Sequence, residues 1–292
     1  MYKYLIIIFL VLVAAASLTA QNGSKPDVKT NPAKLEPVKT VSSEKLKVIS
    51  WSKKEGKLWI ETSAGTLLLQ PFLDKTLHVQ FGKPAHIALT KSFAVLRTPD
   101  RIDFDVQESK EDIRLQTKHF SVRVRKENSQ ILMYDQSGKL FLQESPVGGR
   151  SGVSGDSIKV SDLFKLSSEE AIYGLGQFRD HRLNLRGVQR VLVQFNTQAA
   201  VPVLFSTGNW GIFWDNPSRT VFKDGAEGMS FASDYGKVVD YYVFMGTGLD
   251  NLIGEYRRLT GEAPMLPVWA LGYHQSRNKY STQEEVLSVA ER

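Results

Sequence analysis

Residues 254–292 read GEYRRLTGEAPMLPVWALGYHQSRNKYSTQEEVLSVAER, and their reading decides the fold. The segment begins inside a predicted helix, Leu249 to Leu259, in which Leu249, Leu252, Ile253, Tyr256 and Leu259 share one face and which Gly261 terminates. Pro264 and Pro267 then mark a domain boundary, followed by a predicted buried strand from Val268 to His274. Ser281 fits as a helix N-cap, and Glu284 completes a capping box ahead of Val286, Leu287, Val289 and Ala290. A strand and then a helix directly after a boundary are the opening of a β/α unit. The expectation is that most of the domain opened here lies beyond residue 292.

Upstream, the dominant period is two. Apolar and polar residues alternate in Leu77-His78-Val79-Gln80-Phe81, in Ile102-Asp103-Phe104-Asp105-Val106-Gln107 and in Phe120-Ser121-Val122-Arg123-Val124-Arg125, the pattern of half-buried antiparallel strands. Gly56, Gly65, Gly82, Asn128-Ser129, Ser137-Gly138 and Gly148-Gly149 punctuate them, which predicts a mainly β fold, an antiparallel β-sandwich. Ile172 to Gln177 is too rich in glycine for an ordinary strand, and Arg179 to Arg190 is polar enough to be an exposed excursion. Strands are predicted again at Val191–Phe195, Val201–Ser206 and Gly211–Asn216, the last two joined by the turn Thr207-Gly208-Asn209. No fixed-period repeat supports a propeller or solenoid.

The chain's 292 residues can bury a sizeable core. Residues 1–20 stand apart from it: Lys3, an apolar run from Leu5 to Ala16 and small residues to Ala20 form the layout of a cleaved secretory signal peptide. The run is shorter than the roughly 20 residues a bilayer-spanning helix needs, so no stable membrane anchor is expected. Absence of cysteine excludes disulfides, thiolate metal sites and an acylated-cysteine anchor. Of the formal charge of +6, the leader, residues 21–47, carries +3 and Lys3 a further +1, leaving +2 for residues 48–292. That Lys- and Pro-rich leader reads as flexible and solvated, not as a nucleic-acid arm.

The usual catalytic constellations are missing. His78, His86, His119, His181 and His274 show no metal-ligand spacing and read as surface or packing residues, Gly174-Leu175-Gly176 lacks the third glycine of a dinucleotide fingerprint, and Gly148 to Gly152 lacks the Lys-Ser/Thr of a phosphate loop. No cofactor and no metal are expected. Tyr173, Phe178, Trp210, Phe213, Trp214, Phe222, Trp269 and Tyr273 cluster late in the chain beside the amides Asn196, Gln198 and Asn216. Flat apolar rings beside amides suit a sugar, although core packing explains most such aromatics.

At this point three motifs resemble a known family. Tyr256-x-x-Leu259-Thr260-Gly261-x-x-Pro264-x-x-Pro267-x-Trp269-x-Leu271-Gly272 resembles the junction between the N-terminal β-sandwich and the catalytic (β/α)8 barrel of glycoside hydrolase family 31. Tyr173-Gly174-Leu175-Gly176-Gln177 and the pair Val201-Pro202 to Asp215-Asn216-Pro217 resemble two further family elements, in the right order. The resemblance spans roughly residues 48–292, and the segment Ala270 to Tyr280 is most similar to bacterial α-xylosidases and α-glucosidases.

The resemblance implies a galactose-mutarotase-like sandwich over 48–260 and, over 261–292, a linker with the first β/α unit of a truncated (β/α)8 barrel. It implies an exported, periplasmic or extracellular, retaining α-glycosidase whose substrate is an oligosaccharide or polysaccharide. The two catalytic aspartates are implied on later barrel strands, so no residue here is assigned to either role, and Asp215 and Asp234 are expected to belong to the sandwich. Asn196, Thr197 and Gln198 occupy the place of a family loop that reaches over the barrel and lines the sugar pocket. The other reading is a noncatalytic carbohydrate-binding or surface-interaction sandwich.

Overall fold

A computed structural model describes residues 46–146, 149–151 and 159–291. The expected signal peptide, nearly all of the expected leader and parts of the glycine loop at 148–152 lie outside the described residues.

Two antiparallel sheets face each other. The first orders its strands β1 (Val48–Lys54), β2 (Lys57–Thr62), β3 (Thr66–Leu73), β4 (Thr76–Gly82), β17 (Val238–Met245), β14 (Trp210–Trp214), β13 (Ala199–Ser206) and β11 (Ile172–Gln177). The second runs β12 (Gln189–Leu192), β15 (Thr220–Gly225), β16 (Gly228–Ser233), β10 (Val160–Lys165), β9 (Leu140–Glu144), β8 (Ile131–Asp135), β7 (Phe120–Arg125), β6 (Asp112–Gln116) and β5 (Asp105–Glu108). Their inner faces form one core, in which Trp214 stacks on Phe231 (5.3 Å) and on Tyr241 (5.9 Å) and donates to Ser233 Oγ at 2.9 Å. Aligned packing of two such faces is how alternating strands bury their apolar residues.

The alternation of Leu77 to Phe81 predicts one solvated face, yet β3, β4 and β17 are buried on both. The outer face of this sheet is covered by helix α2 (Leu249–Thr260), which sets Leu252 and Leu259 on Phe72, Phe213, Tyr242 and Phe244, and by Ile87 of the short helix α1 (Pro84–Leu89). Polar residues buried in β4, β17 and α2 find partners in place. His78 sits opposite Tyr242 and stacks on it at 4.0 Å, with Nε2 2.6 Å from Asp240 Oδ1, while Gln80 donates to Asp240 Oδ2 at 2.7 Å. Glu255 of α2, also buried, accepts from Thr76 (3.2 Å) and Arg258 (2.9 Å).

The glycine-rich motif is a strand after all, with a bulge. Gly174, Leu175 and Gly176 all take positive φ, and a Cβ on Gly176 would lie 1.8 Å from the Ala199 carbonyl oxygen, so glycine is what lets β11 close against β13.

The closing segment differs more. Val268 to His274 is not a strand: Val268–Leu271 form a 3₁₀ turn, and no residue from Gly261 to Glu291 is buried. A buried parallel strand needs hydrogen-bonding neighbours on both sides and covering helices, and none is present among the described residues. Helix α3 (Gln283–Ala290) forms, but its N-cap is Thr282, one residue later than expected. Thr282 Oγ1 accepts the Glu285 N–H at 3.2 Å, and Glu285 Oε2 accepts the Ser281 N–H at 2.7 Å, so the reciprocal capping is shifted by one position.

Candidate functional site

Strands β11 and β12 are the edges of their two sheets on the same side of the sandwich, and two connections run there. The first, residues 178–188, is less free than its polarity predicts. Leu185 is fully buried, Arg190 grips Asp180 at 2.8–3.0 Å beneath the Phe178 ring (4.5 Å), and Arg186 reaches Asp224 (2.9 Å) and the carbonyls of Ser167 and Glu170 (2.7 Å each). Burial raises the Asp180 carboxyl, but the Arg190 hydrogen bonds and the Arg182 N–H outweigh it and hold it below its ordinary range. Arginine content thus reads as polar in sequence and acts as a staple in the fold.

The second connection, residues 193–198, crosses from β12 to β13. β12 ends at Leu192, so Val193, Gln194 and Phe195 leave the sheet they were expected to extend. A tight turn closes the tip, with the Gln198 N–H donating to the Phe195 carbonyl at 3.1 Å and Thr197 in the left-handed region at φ 72. Gln194 Oε1 accepts the Ala200 N–H at 2.8 Å and fixes the base. Asn196, Thr197 and Gln198 are all exposed, and none of their side chains makes a hydrogen bond among the described residues. Phe195, read in sequence only as a strand residue, is 71% exposed beside them. The tip therefore presents two amides, a hydroxyl and one aromatic face from an anchored base, which is the equipment for holding a hydroxylated ring.

Most of the aromatic residues grouped as sugar contacts are core. Trp210, Trp214 and Phe222 are fully buried and Phe213 nearly so, and Trp210 Nε1 donates to Glu170 at 2.8 Å. Phe178 has its face against the Arg190 guanidinium, and Tyr173 is half-buried. Only Trp269 (78%) and Tyr273 (87%) stand in solvent. Asn216 is structural too, its amide donating to the Tyr235 carbonyl at 3.0 Å and its oxygen accepting the Ser218 N–H at 2.8 Å. Late position in the chain grouped these rings in sequence, whereas strand alternation decides which of them point inward.

The carboxylates that could attract a catalytic reading belong to the sandwich. Asp234 pairs with Arg219 at 2.7 Å. Asp215, at the end of β14, lies opposite Asp240, and its carboxyl is pushed up to about 6 by burial and by the Asp240 charge, against the hydrogen bond from Ser92 and the His78 ring. Such a shift often marks an acid–base residue, but here its causes are structural neighbours, Asp240 and His78 of the same sheet and Ser92. Between the sheets, Glu144 meets Arg150 at 2.8 Å and accepts from Tyr241 OH at 3.2 Å, and Arg150 also donates to Ser129. Burial first, then the Glu144 charge, raises the neighbouring Asp162 carboxyl well above its ordinary value, against the Arg150 charge. Among the described residues no three His, Asp or Glu converge as a metal site.

Comparison with known proteins extends these observations. Residues 66–222 match the glycosyl hydrolase 31 N-terminal galactose mutarotase-like domain, and residues 263–292 match the glycosyl hydrolases family 31 TIM-barrel domain. An α-xylosidase of Saccharolobus solfataricus is 32% identical over 61% of this chain and 25% of its own length. Alpha-glucosidase 2 of Bacillus thermoamyloliquefaciens is 28% identical over 78% of the chain and 30% of its own. The structure of a family 31 α-xylosidase from a soil metagenome, complexed with xylose, superposes with a TM-score of 0.74 at 25% identity, covering 83% of this chain and 39% of that one. The chain thus spans about a quarter to a third of the length of these two curated relatives. With one family's sandwich and barrel matches in series on a single chain, and the two-sheet architecture in place, the protein belongs to glycoside hydrolase family 31.

Proposed function

We propose that this protein is the N-terminal part of an exported retaining α-glycosidase acting on α-linked xylosyl or glucosyl residues of oligo- or polysaccharides. The carrying observation is the succession of the family's sandwich and barrel sequences at 66–222 and 263–292. Retaining hydrolysis uses two carboxyl groups about 5–5.5 Å apart on opposite sides of the scissile bond, one as nucleophile and one as acid/base. In this reading both come from barrel strands beyond the first unit, and the sandwich carboxylates keep the structural roles described above.

The loop Asn196-Thr197-Gln198 is then a lip, reaching from its anchored base toward the sugar that the barrel holds. Its amides hydrogen-bond ring hydroxyls without taking part in bond cleavage. The expected outcome is that residues 1–292 alone release no nitrophenol from nitrophenyl α-xyloside or α-glucoside, and that a polypeptide continued through the whole barrel does. Hydrolysis by the 292-residue chain, or none by the continued one, overturns the reading. In the continued enzyme, Asn196→Ala with Gln198→Ala should raise KM severalfold with little change in kcat. Export is checked by N-terminal sequencing of the secreted product, which should begin near Gln21.

A further inference from the structure

β13 carries the chain from the Asn196–Gln198 loop to the turn Thr207–Asn209, roughly 25 Å away at about 3.3 Å per residue. At that opposite end the β3–β4, β6–β7, β8–β9 and β13–β14 turns converge around a cavity of about 340 Å³. Its wall includes Lys75, His119, Gln136, Lys139, Phe141 and Asn209, one or two from each turn. The volume is at the lower end of small-molecule sites and suits one sugar ring with a substituent.

This wall carries two ammonium groups, Lys75 and Lys139, against one carboxylate, Asp135, which burial raises but its turn's hydrogen bonds and the Lys139 charge hold below its ordinary value. Neither Lys75 nor Lys139 makes an ion pair among the described residues, and the side chains of His119, Gln136 and Asn209 make no hydrogen bond there. The carboxylate in the wall, Asp135, is committed to its own turn, accepting from the Ser137 N–H (2.9 Å), the Ser137 hydroxyl (2.6 Å) and the Lys139 N–H (3.0 Å). The turns themselves are fixed: the Met245 N–H donates to the Lys75 carbonyl and the Gly246 N–H to the Asn209 carbonyl, at 3.0 and 3.1 Å. Asn209 holds φ 65, a left-handed conformation that is uncommon outside glycine and tolerated by Asn. Phe141 and Met245 add an apolar side to the same cavity.

We infer that this cavity is a binding site for an acidic sugar, a pyranose carrying a carboxylate. The ring's C–H face lies against Phe141 and Met245, the amides of Gln136 and Asn209 meet its hydroxyls, and Lys75 and Lys139 hold the carboxylate. A neutral sugar leaves the wall's excess positive charge unmatched, and a bare inorganic anion leaves the apolar side unused. The site is independent of bond hydrolysis, so its test does not depend on the proposed activity.

Calorimetric titration of the 292-residue chain with methyl glucuronide, methyl glucoside and sodium sulfate separates these ligands. The glucuronide is expected to bind at least about tenfold more tightly than either of the others, and added salt should weaken it. Lys75→Gln and Lys139→Gln should each weaken glucuronide binding by about tenfold, one charge-assisted hydrogen bond's worth, at an unchanged melting temperature. Asn209→Gly, which keeps the turn, should weaken glucuronide and glucoside equally. Equal affinity for glucuronide and glucoside, sulfate binding as tight as glucuronide, or no glucuronide binding at millimolar concentration would each overturn the proposal.

Discussion

β3, β4 and β17 are buried along their entire lengths, whereas not one residue from Gly261 to Glu291 is, although β3, β4 and residues 263–291 all lie in segments that match the same family. The difference lies in what each needs from elsewhere. β3 and β4 pair through a two-residue turn at Asp74-Lys75, so that register is set locally, and β17 joins them from within the same sandwich. A barrel strand is parallel to its neighbours, and each neighbour arrives only after a crossover helix. Val268-Trp269-Ala270-Leu271 therefore has the composition of a buried strand and the conformation of an exposed 3₁₀ turn.

Hydrogen exchange should show the contrast at its largest. Amides in the β4–β17 pairing, such as Val79 and Tyr241, should exchange at least ~10³-fold more slowly than those of Val268 to Tyr273, because the former open only with the sandwich core. Comparable protection at Val268–Tyr273 in the 292-residue chain would show that a strand forms there without barrel neighbours.

Next come single side chains of the core. Trp214→Ala removes two ring stacks and leaves Ser233 without its indole donor, and should cost ~3–5 kcal/mol in denaturant unfolding. Arg150→Ala should cost a similar ~3–5 kcal/mol, since it strands Glu144 in the interior. A loss below about 1 kcal/mol for either would mean that the interior relaxes around the gap or admits water.

These core residues also show how far the sequence could be read. Period two located most of the strands and the glycines most of the turns, because both are local properties of the chain; in the stretch Ile102–Gln107 the strand begins only at Asp105. The junction motif at Tyr256 to Gly272 named the family, and with it the sandwich. The partners of His78 were beyond reach: Asp240 is 162 residues away, and only the β4–β17 register brings the two together. For the same reason Arg150, Glu144 and Asp162 read as loop and strand residues, not as one buried cluster. Resemblance pointed to Asn196–Gln198, which form an exposed turn, but Phe195 beside them was hidden in an apolar run, since its exposure depends on β12 ending at Leu192.

A smaller effect is expected on the covered outer face. In the window between the ordinary Asp value of 3.8 and about 6, folded Asp215 binds a proton that the unfolded chain does not. Stability should therefore rise as pH falls through about 6 toward 4, by up to ~2 kcal/mol from this group, and fall again by that amount as pH rises. Asp215→Asn removes the group from the titration and should flatten that part of the pH–stability curve. An unchanged slope in the variant would show that Asp215 does not carry this part of the pH dependence.

The smallest effect is the most telling for the comparison. Trp269 is 78% exposed and has no buried neighbour on its own segment, so Trp269→Ala should change the unfolding free energy of the 292-residue chain by less than about 0.5 kcal/mol. A buried tryptophan truncated in the same way costs several kcal/mol. In a polypeptide that continues through the barrel, Val268–Leu271 gains strand neighbours, and the same substitution should become strongly destabilising. The two measurements together separate a side chain with no structural task from one whose task begins only when distant β/α units arrive. Equal small effects in both chains would mean that Trp269 faces solvent even in the complete barrel, and that the strand register places Val268 or Ala270 inward instead.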